Sequence, residues 1–131
     1  MRALSIRQPY AELILRGIKT IEYRSRPTRI IGERFYIYAA SKPGDPKGFD
    51  ELGCVPGDLP TGLIVGTAVI TGCERNNRHP RNPRNPRNPR GYEWHLEGIR
   101  RLRRPRRPRR MPSRCGSHRS DPPADADAPT R

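Results

Sequence analysis

Three charged side chains of complementary chemistry lie close together near the start of the sequence: Lys19, Glu22 and Arg24, within the stretch LRGIKTIEYRSRP. A lysine and an arginine can bind phosphate, and the planar guanidinium can do so through two parallel hydrogen bonds. A carboxylate, or an amide such as that of Gln8, can hydrogen-bond the edge of a base. The residue types therefore predict a cleft for phosphate and a nucleobase. The alternative is a solvated strand face on which Glu22 and Arg24 form an ion pair of little energetic value.

A short helix is predicted just before these charged residues. Residues 3–7 alternate apolar and polar side chains, which is typical of a short strand. Pro9 suits the first position of a helix, where its missing N–H costs nothing, and the apolar spacing continues the helix to residue 16. Gly17 then favours the left-handed conformation that ends many helices. The charged residues are thus expected at the C-terminal end of this helix.

The chain is then expected to turn directly into a strand. Residues 20–24 are rich in β-branched and aromatic side chains. Because side chains alternate between the two faces of a strand, Ile21 and Tyr23 are predicted to enter the core. Glu22 and Arg24 would then share the opposite, polar face, with Lys19 at the junction with the helix.

The remaining apolar stretches favour further strands at residues 33–40, 62–73 and 92–102, with one helical turn near residues 49–52. In the first of these strands, Phe35 and Ile37 are predicted to face one side and Tyr36 and Tyr38 the other. Gly66 inside the second strand suggests a bulge or bend. Trp94 and Tyr38 are expected in the core, and His95 as a strand histidine. Short strands with one early helix predict a small, mainly β (α+β) barrel.

Positive charge is concentrated in one part of the chain. Of the net charge of +14, residues 75–110 contribute fourteen arginines against two glutamates, whereas residues 1–74 hold ten basic and eight acidic residues. Proline at every third position favours an extended, solvated chain, so a disordered insert is predicted at residues 75–90 and a disordered tail at 104–131. Low-complexity drift is the alternative reading. Eight arginines are expected to contact nucleic acid non-specifically: Arg81, Arg84, Arg87, Arg90, Arg103, Arg104, Arg106 and Arg107.

Cysteine content and hydropathy bear on the compartment and the partners. Cys54, Cys73 and Cys115 show neither metal-ligand spacing nor a disulfide framework, so no metal and no cofactor is expected. A reducing, cytoplasmic setting is the natural one for such a chain. No stretch approaches the roughly 18 apolar residues needed to cross a membrane, and the start shows no signal-peptide pattern.

Residues 5–42 resemble the ASCH family, the activating-signal-cointegrator homology domains of the PUA-like superfamily. The resemblance rests on Gln8-Pro9 before the helix, on the run Gly17-x-Lys19-x-x-Glu22-x-Arg24, and on the strand that ends in Ala39-Ala40-Ser41-Lys42. It implies one domain over residues 1–103, interrupted by the insert at residues 75–90, with a β-barrel and a cleft beside the helix that binds nucleic acid, most naturally RNA. The chain is expected to be a monomer. The ligand-binding residues it implies are Gln8, Lys19, Glu22, Arg24 and Lys42.

Two other functions remain open. Some small bacterial relatives resemble amidohydrolases that remove an acyl group from a modified cytidine with a lysine, a threonine and a glutamate in this cleft; here Lys19, Thr20 and Glu22 would take those roles. Glu22 stands where those enzymes carry the threonine, which argues against hydrolysis. The third interpretation is a degenerate copy whose final apolar strand was replaced, through a frameshift, by the charged tail.

Overall fold

The computed structural model describes residues 1–76 and 91–109. They form a mainly β fold with two short helices and one 3-10 turn at Pro56–Asp58. The elements in chain order are β1 (Ala3–Ile6), α1 (Tyr10–Leu15), β2 (Ile21–Arg24), β3 (Arg34–Ala39), α2 (Pro46–Asp50), β4 (Leu63–Arg75) and β5 (Tyr92–Arg106). Every strand and helix predicted from the sequence is present, with shifts of a few residues at the ends.

The five strands make one sheet in the order β1-β3-β4-β5-β2. Only the β1–β3 pair is parallel, and the other three pairs are antiparallel. Strands β1 and β2 are therefore the two edges. The predicted mainly β fold is confirmed, but the described strands are not closed into a barrel, because no backbone ladder joins β1 to β2.

Alternation along β3 was predicted correctly and separates two apolar clusters. Phe35 and Ile37 belong to the main cluster, which the sheet forms with Leu4, Ile14 and Trp94. Tyr36 and Tyr38 belong to a second cluster on the opposite face, which also contains Ala3, Ile64 and Leu102. Helix α1 thus covers one face of the sheet, named below the helix face, and the second cluster lies on the opposite face.

Gly66 allows α1 to approach the sheet closely. A Cβ at this position would lie 2.5 Å from Leu15 Cδ2 and 2.6 Å from the Arg100 carbonyl oxygen. The register of β4 also shifts around this glycine against both neighbouring strands, as the sequence predicted. A larger residue could not fit between the helix and β5 without a movement of backbone.

Strand β5 is longer than predicted. It continues to Arg106, although residues 104–106 were assigned to a disordered tail. The extension is explained by pairing of Arg106 with Ile64 and by contact of its guanidinium with Tyr36, which sequence composition does not reveal. Arg75, assigned to the insert, is likewise the last residue of β4. Residues 77–90 of the insert, with Arg81, Arg84, Arg87 and Arg90, and the tail beyond residue 109 lie outside the described residues.

Candidate functional site

The helix α1 ends as its sequence predicts. Gly17 adopts a φ of +78°, the left-handed region that favours glycine. The next two backbone N–H groups, those of Ile18 and Lys19, both donate to the Leu13 carbonyl, at 3.0 and 3.1 Å. The tight turn places Lys19 at the C-terminal end of α1, two residues before β2 begins.

Lys19, Glu22 and Arg24 come together as predicted and are named here the charged cluster. The Glu22 carboxylate lies between two cations: Arg24 Nε donates to Oε2 at 2.8 Å, and Lys19 Nζ is 3.5 Å from Oε1. The side chains are only 9 to 18% exposed, with Glu22 the most buried of the three. Two cations around one carboxylate leave the cluster with a net positive charge.

The orientation of β2 was predicted wrongly. Glu22 is buried, whereas Ile21 and Tyr23 are only half-buried and belong to neither apolar cluster. Glu22 pairs directly with Trp94 of the main core across the β2–β5 ladder, so its side chain lies on the helix face of the sheet. A buried carboxylate is tolerated because the two neighbouring cations replace its lost hydration.

Arg24 links the two edges of the sheet. One terminal nitrogen, Nη2, donates to the Ser5 carbonyl of β1 at 2.7 Å, while the guanidinium lies 5.6 Å from the centre of the Trp94 ring. The gap between β1 and β2, named here the seam, is thus bridged by one side chain rather than by backbone pairing. Among the described residues, Arg24 donates hydrogen bonds through Nε and Nη2 and makes none through its other terminal nitrogen, Nη1.

Two aromatic rings flank the lysine of the charged cluster. Lys19 Nζ lies 5.2 Å from the centre of the Tyr23 ring and 5.8 Å from that of Tyr10, and it donates to the Ile21 carbonyl at 2.6 Å. Both distances are within the range of cation–π attraction. These contacts hold the ammonium beside the seam. The sequence did not predict a role for Tyr10, which its position on the predicted helix could have suggested.

Gln8 is buried inside the fold and is not open to solvent. It is fully buried; its amide nitrogen donates to the Pro60 carbonyl at 2.9 Å and its amide oxygen accepts from the Glu12 N–H at 3.0 Å. Both amide atoms of Gln8 thus have partners within the chain, so the structure gives no support to the prediction that Gln8 contacts a base edge. Lys42 is exposed on the loop after β3 and makes no described contact with the charged cluster.

The arrangement needed for hydrolysis is not formed in the described part of the chain. Thr20 is exposed, and among the described residues its hydroxyl makes no hydrogen bond with Lys19. The Lys19 ammonium instead faces the Ile21 carbonyl and the Glu22 carboxylate. A nucleophilic hydroxyl requires an adjacent base within about 3 Å, so the geometry gives no support to the predicted catalytic roles of Lys19, Thr20 and Glu22.

One further polar group, not predicted from the sequence, lies where β4 and β5 pair. Glu74, Glu93 and His95 place one potential metal-ligand atom each within 4.8 Å of one another. His95 Nε2 is 2.7 Å from Glu74 Oε1 and 3.8 Å from Glu93 Oε1. The shorter distance is that of a direct hydrogen bond. His95 is thus a strand histidine held by an acidic neighbour, as expected of it.

The predicted arginines that fall within β5 and just beyond it have different surroundings. Arg103, Arg104 and Arg107 are exposed, whereas Arg106 is half-buried against Tyr36.

Among the described residues, no helix is long and apolar enough to cross a membrane.

A mostly β sheet with few helices matches the PUA-like fold of ASCH domains. The family profile of the ASCH domain matches residues 4–102, which is most of the chain. The chain therefore belongs to the ASCH domain family.

Known proteins of this family share sequence or fold with the chain. It is 35% identical over 81 residues to activating signal cointegrator 1 of Homo sapiens and equally to that of Mus musculus. The matches cover 53% of this chain and 14% of each relative, so the chain spans about a seventh of their length. The crystal structure of ASCH from Zymomonas mobilis matches 81% of this chain and 72% of its own, with a TM-score of 0.56 and 17% identity. A point variant of it gives a TM-score of 0.54. Identity this low shows the fold alone.

Proposed function

We propose that the chain binds nucleic acid, RNA in the first place, in a cleft at the seam between β1, β2 and the end of α1. The observation that carries the proposal is the charged cluster. Lys19 and Arg24 share the single carboxylate of Glu22 and keep an excess of positive charge at the seam. An exposed ion pair with a purely stabilising role would need neither a second cation nor near-complete burial.

Each member of the charged cluster has a separate task in binding. Nη1 of Arg24, which has no hydrogen bond within the described residues, donates to a phosphate oxygen, and the Lys19 ammonium adds a second positive charge. The Lys19–Glu22 distance of 3.5 Å is long for a hydrogen bond, so Glu22 Oε1 can accept instead from the amino group or ring N–H of a base. Charge then provides affinity, and the carboxylate provides base preference.

The family supports the same proposal. ASCH domains are generally associated with RNA binding, and the curated relatives carry the name activating signal cointegrator 1. Proteins of this family are linked to nucleic acid and to transcription coactivators. The net charge of +14 is consistent with a polyanionic ligand.

Binding of a short fluorescent single-stranded RNA by the full chain tests the proposal. Arg24→Gln should weaken binding by roughly 1.5–3 kcal/mol, or about ten- to a hundredfold, because a charge-assisted contact is lost. Arg29→Gln removes the same charge from an exposed loop position and is the matched control. Thermal unfolding checks that loss of the Arg24–Ser5 bond leaves the fold intact. Equal affinities for Arg24→Gln and Arg29→Gln would contradict the proposal.

Glu22→Gln separates binding from hydrolysis. In a binding domain this variant should change which RNA bases are preferred, because an acceptor-only carboxylate becomes an amide that also donates. The unmodified chain, Glu22→Gln and Lys19→Gln are also incubated with an acylated cytidine. Release of the acyl group by the unmodified chain, with loss of that activity in Lys19→Gln, would replace binding by the amidohydrolase function.

A further inference from the structure

Arg34 is held in an unusual way on the face of the sheet opposite α1. It precedes Phe35 of the main core on β3, so its side chain leaves by the other face. Its Nη1 donates to the Thr67 hydroxyl at 2.9 Å and to the Gly98 carbonyl at 2.7 Å. Both partners are neutral. They fix the direction of the half-buried guanidinium without neutralising its charge.

Gly98 leaves room for this guanidinium. Its φ is +62°, and a Cβ built there would lie 3.0 Å from Arg34 Nη2, closer than ordinary van der Waals contact. A side chain at position 98 would require the end of the Arg34 side chain to move by a few tenths of an ångström, and the φ of +62° would strain any residue other than glycine.

Arg100 brings a second positive charge to the same place. Thr67 pairs with Tyr36 on one side and with Arg100 on the other, so the three side chains form a row across β3, β4 and β5. Burial, and next the charge of Arg100, lower the pKa of the Arg34 guanidinium. Within residues 1–76 and 91–109, no carboxylate forms an ion pair with either arginine.

The positive surface continues along the row. Arg106 lies over the Tyr36 ring, 5.3 Å from its centre, and donates to the Tyr36 hydroxyl at 2.8 Å. Tyr36 and Leu102 belong to the second apolar cluster, so the packed side chains of that cluster lie on the same face as these arginines. Tyr36 is 1% exposed, which leaves no aromatic surface there for base stacking.

We propose that Arg34 and Arg100 form a phosphate-binding site on the face of the sheet opposite α1, which holds a sugar–phosphate backbone separately from the charged cluster at the seam. A bound phosphate would bridge the two guanidinium groups, accept charge-assisted hydrogen bonds from both, and remove their mutual repulsion. The site contacts phosphate groups and no bases, so we expect it to bind RNA without sequence preference. The proposal shares its ligand class with the proposed function and uses different residues.

The test compares two double variants of the full chain that lose the same charge. Arg34→Gln with Arg100→Gln removes the proposed site, and Arg7→Gln with Arg29→Gln removes two exposed arginines from loops. Affinity for a fluorescent single-stranded RNA is measured across a range of salt concentrations. The slope of log affinity against log salt should become shallower by about 0.7 for the first pair, since the two arginines hold one phosphate and each phosphate contact on a single strand contributes roughly 0.7. Equal slopes for the two pairs would overturn the proposal.

Two additions keep the result specific. Arg100→Gln alone leaves both Arg34 hydrogen bonds in place. It should show about half of the slope change of the double variant without affecting the fold. Inorganic pyrophosphate is then titrated into isotope-labelled protein, and amide shifts should appear at residues 34, 67 and 100. Shifts there, with unchanged RNA affinity in Arg24→Gln, would reject the cleft and keep this site. Shifts at residues 19–24 alone would reject this site and keep the cleft.

Discussion

Two neighbouring arginines of β5 point to opposite faces of the sheet and have opposite electrostatic surroundings. On the helix face, Arg101 donates through both terminal nitrogens to Glu12 of α1, at 3.0 and 2.9 Å. On the opposite face, Arg100 stands beside Arg34, whose only described side-chain partners are a hydroxyl and a carbonyl. One residue along the strand thus separates a neutralised arginine from a pair in mutual repulsion.

This difference separates arginines that stabilise the fold from arginines available to a ligand. The hydrogen bond with Arg101, together with Arg16, lowers the pKa of Glu12 despite its burial, and the same contact raises the pKa of Arg101. Arg34 has its pKa lowered, because burial and Arg100 both disfavour its charge. Groups held against an unfavourable electrostatic environment are more often functional than groups that satisfy one another. The charged cluster lies between these cases, since its one carboxylate is shared by two cations.

The largest effect is expected where the helix meets the sheet. Gly66→Ala would place a methyl group 2.5 Å from Leu15 and 2.6 Å from a backbone oxygen of β5. We expect it to lower the free energy of unfolding by about 3 kcal/mol, since overpacking against backbone cannot relax easily. Denaturant unfolding measures the change. Gly57→Ala, where no atom lies within 4 Å of the added Cβ, is the control. A change equal to that control would mean that α1 does not rest on β4 and β5 as described.

Glu22→Gln should have the next largest effect on stability. The variant leaves Lys19 and Arg24 close together without the carboxylate that neutralises them. We expect a loss of about 2 kcal/mol, as for other hydrogen bonds to buried charges. Glu33→Gln, at an exposed position, should change stability by less than about 0.5 kcal/mol. If the two variants were equally stable, the charged cluster would not contribute to the fold.

Arg101→Gln should destabilise the chain by about 1 kcal/mol, and the loss should depend on pH. Glu12 titrates below its ordinary pKa of 4.5 in the folded chain because of Arg101. A lowered folded-state pKa stabilises the protein above the unfolded-state pKa, and that stability disappears as pH falls through the folded-state value. The difference between the wild type and Arg101→Gln should therefore be fully present at pH 6 and smaller at pH 3, on the acid side of the ordinary pKa of Glu12. Unfolding curves at both pH values check this, and a pH-independent difference would contradict it.

Arg100→Gln should have the smallest effect and the opposite sign. Removal of this charge relieves Arg34, so the free energy of unfolding should rise by up to about 0.5 kcal/mol in low salt. Screening by added salt should abolish the gain. Thermal unfolding at two salt concentrations, alongside Arg101→Gln, measures the contrast between the faces. Destabilisation by Arg100→Gln would mean that this arginine has a structural partner.

Local patterns predicted much of the fold. Alternation separated Phe35 and Ile37 from Tyr36 and Tyr38, and glycine chemistry predicted the end of α1 at Gly17. Alternation failed at β2, where Glu22 is buried and Ile21 is not, because an edge strand that carries its own counter-ions does not follow the apolar pattern. The pattern also could not show whether the sheet closes, since closure depends on how its two edge strands meet.

Long-range contacts account for what the sequence could not predict. Arg101 and Glu12 are 89 positions apart, and Arg34 and Gly98 are 64 apart. The Arg/Pro composition of residues 103–106 resembles that of a disordered tail, yet the contact of Arg106 with Tyr36 continues β5 through them. Neither spacing nor composition distinguishes an arginine that faces a glutamate from one that faces another arginine. That distinction requires the folded sheet.

The most direct measurement of the central claim is an amide-shift titration of the isotope-labelled full chain with a short single-stranded RNA. We expect shifts at residues 19–24 along the seam and at residues 34 and 100 on the opposite face. We expect no shift at Glu12, which Arg101 neutralises on the helix face. Saturable binding that leaves residues 19–24 unchanged would contradict the assignment of the charged cluster as the nucleic-acid site.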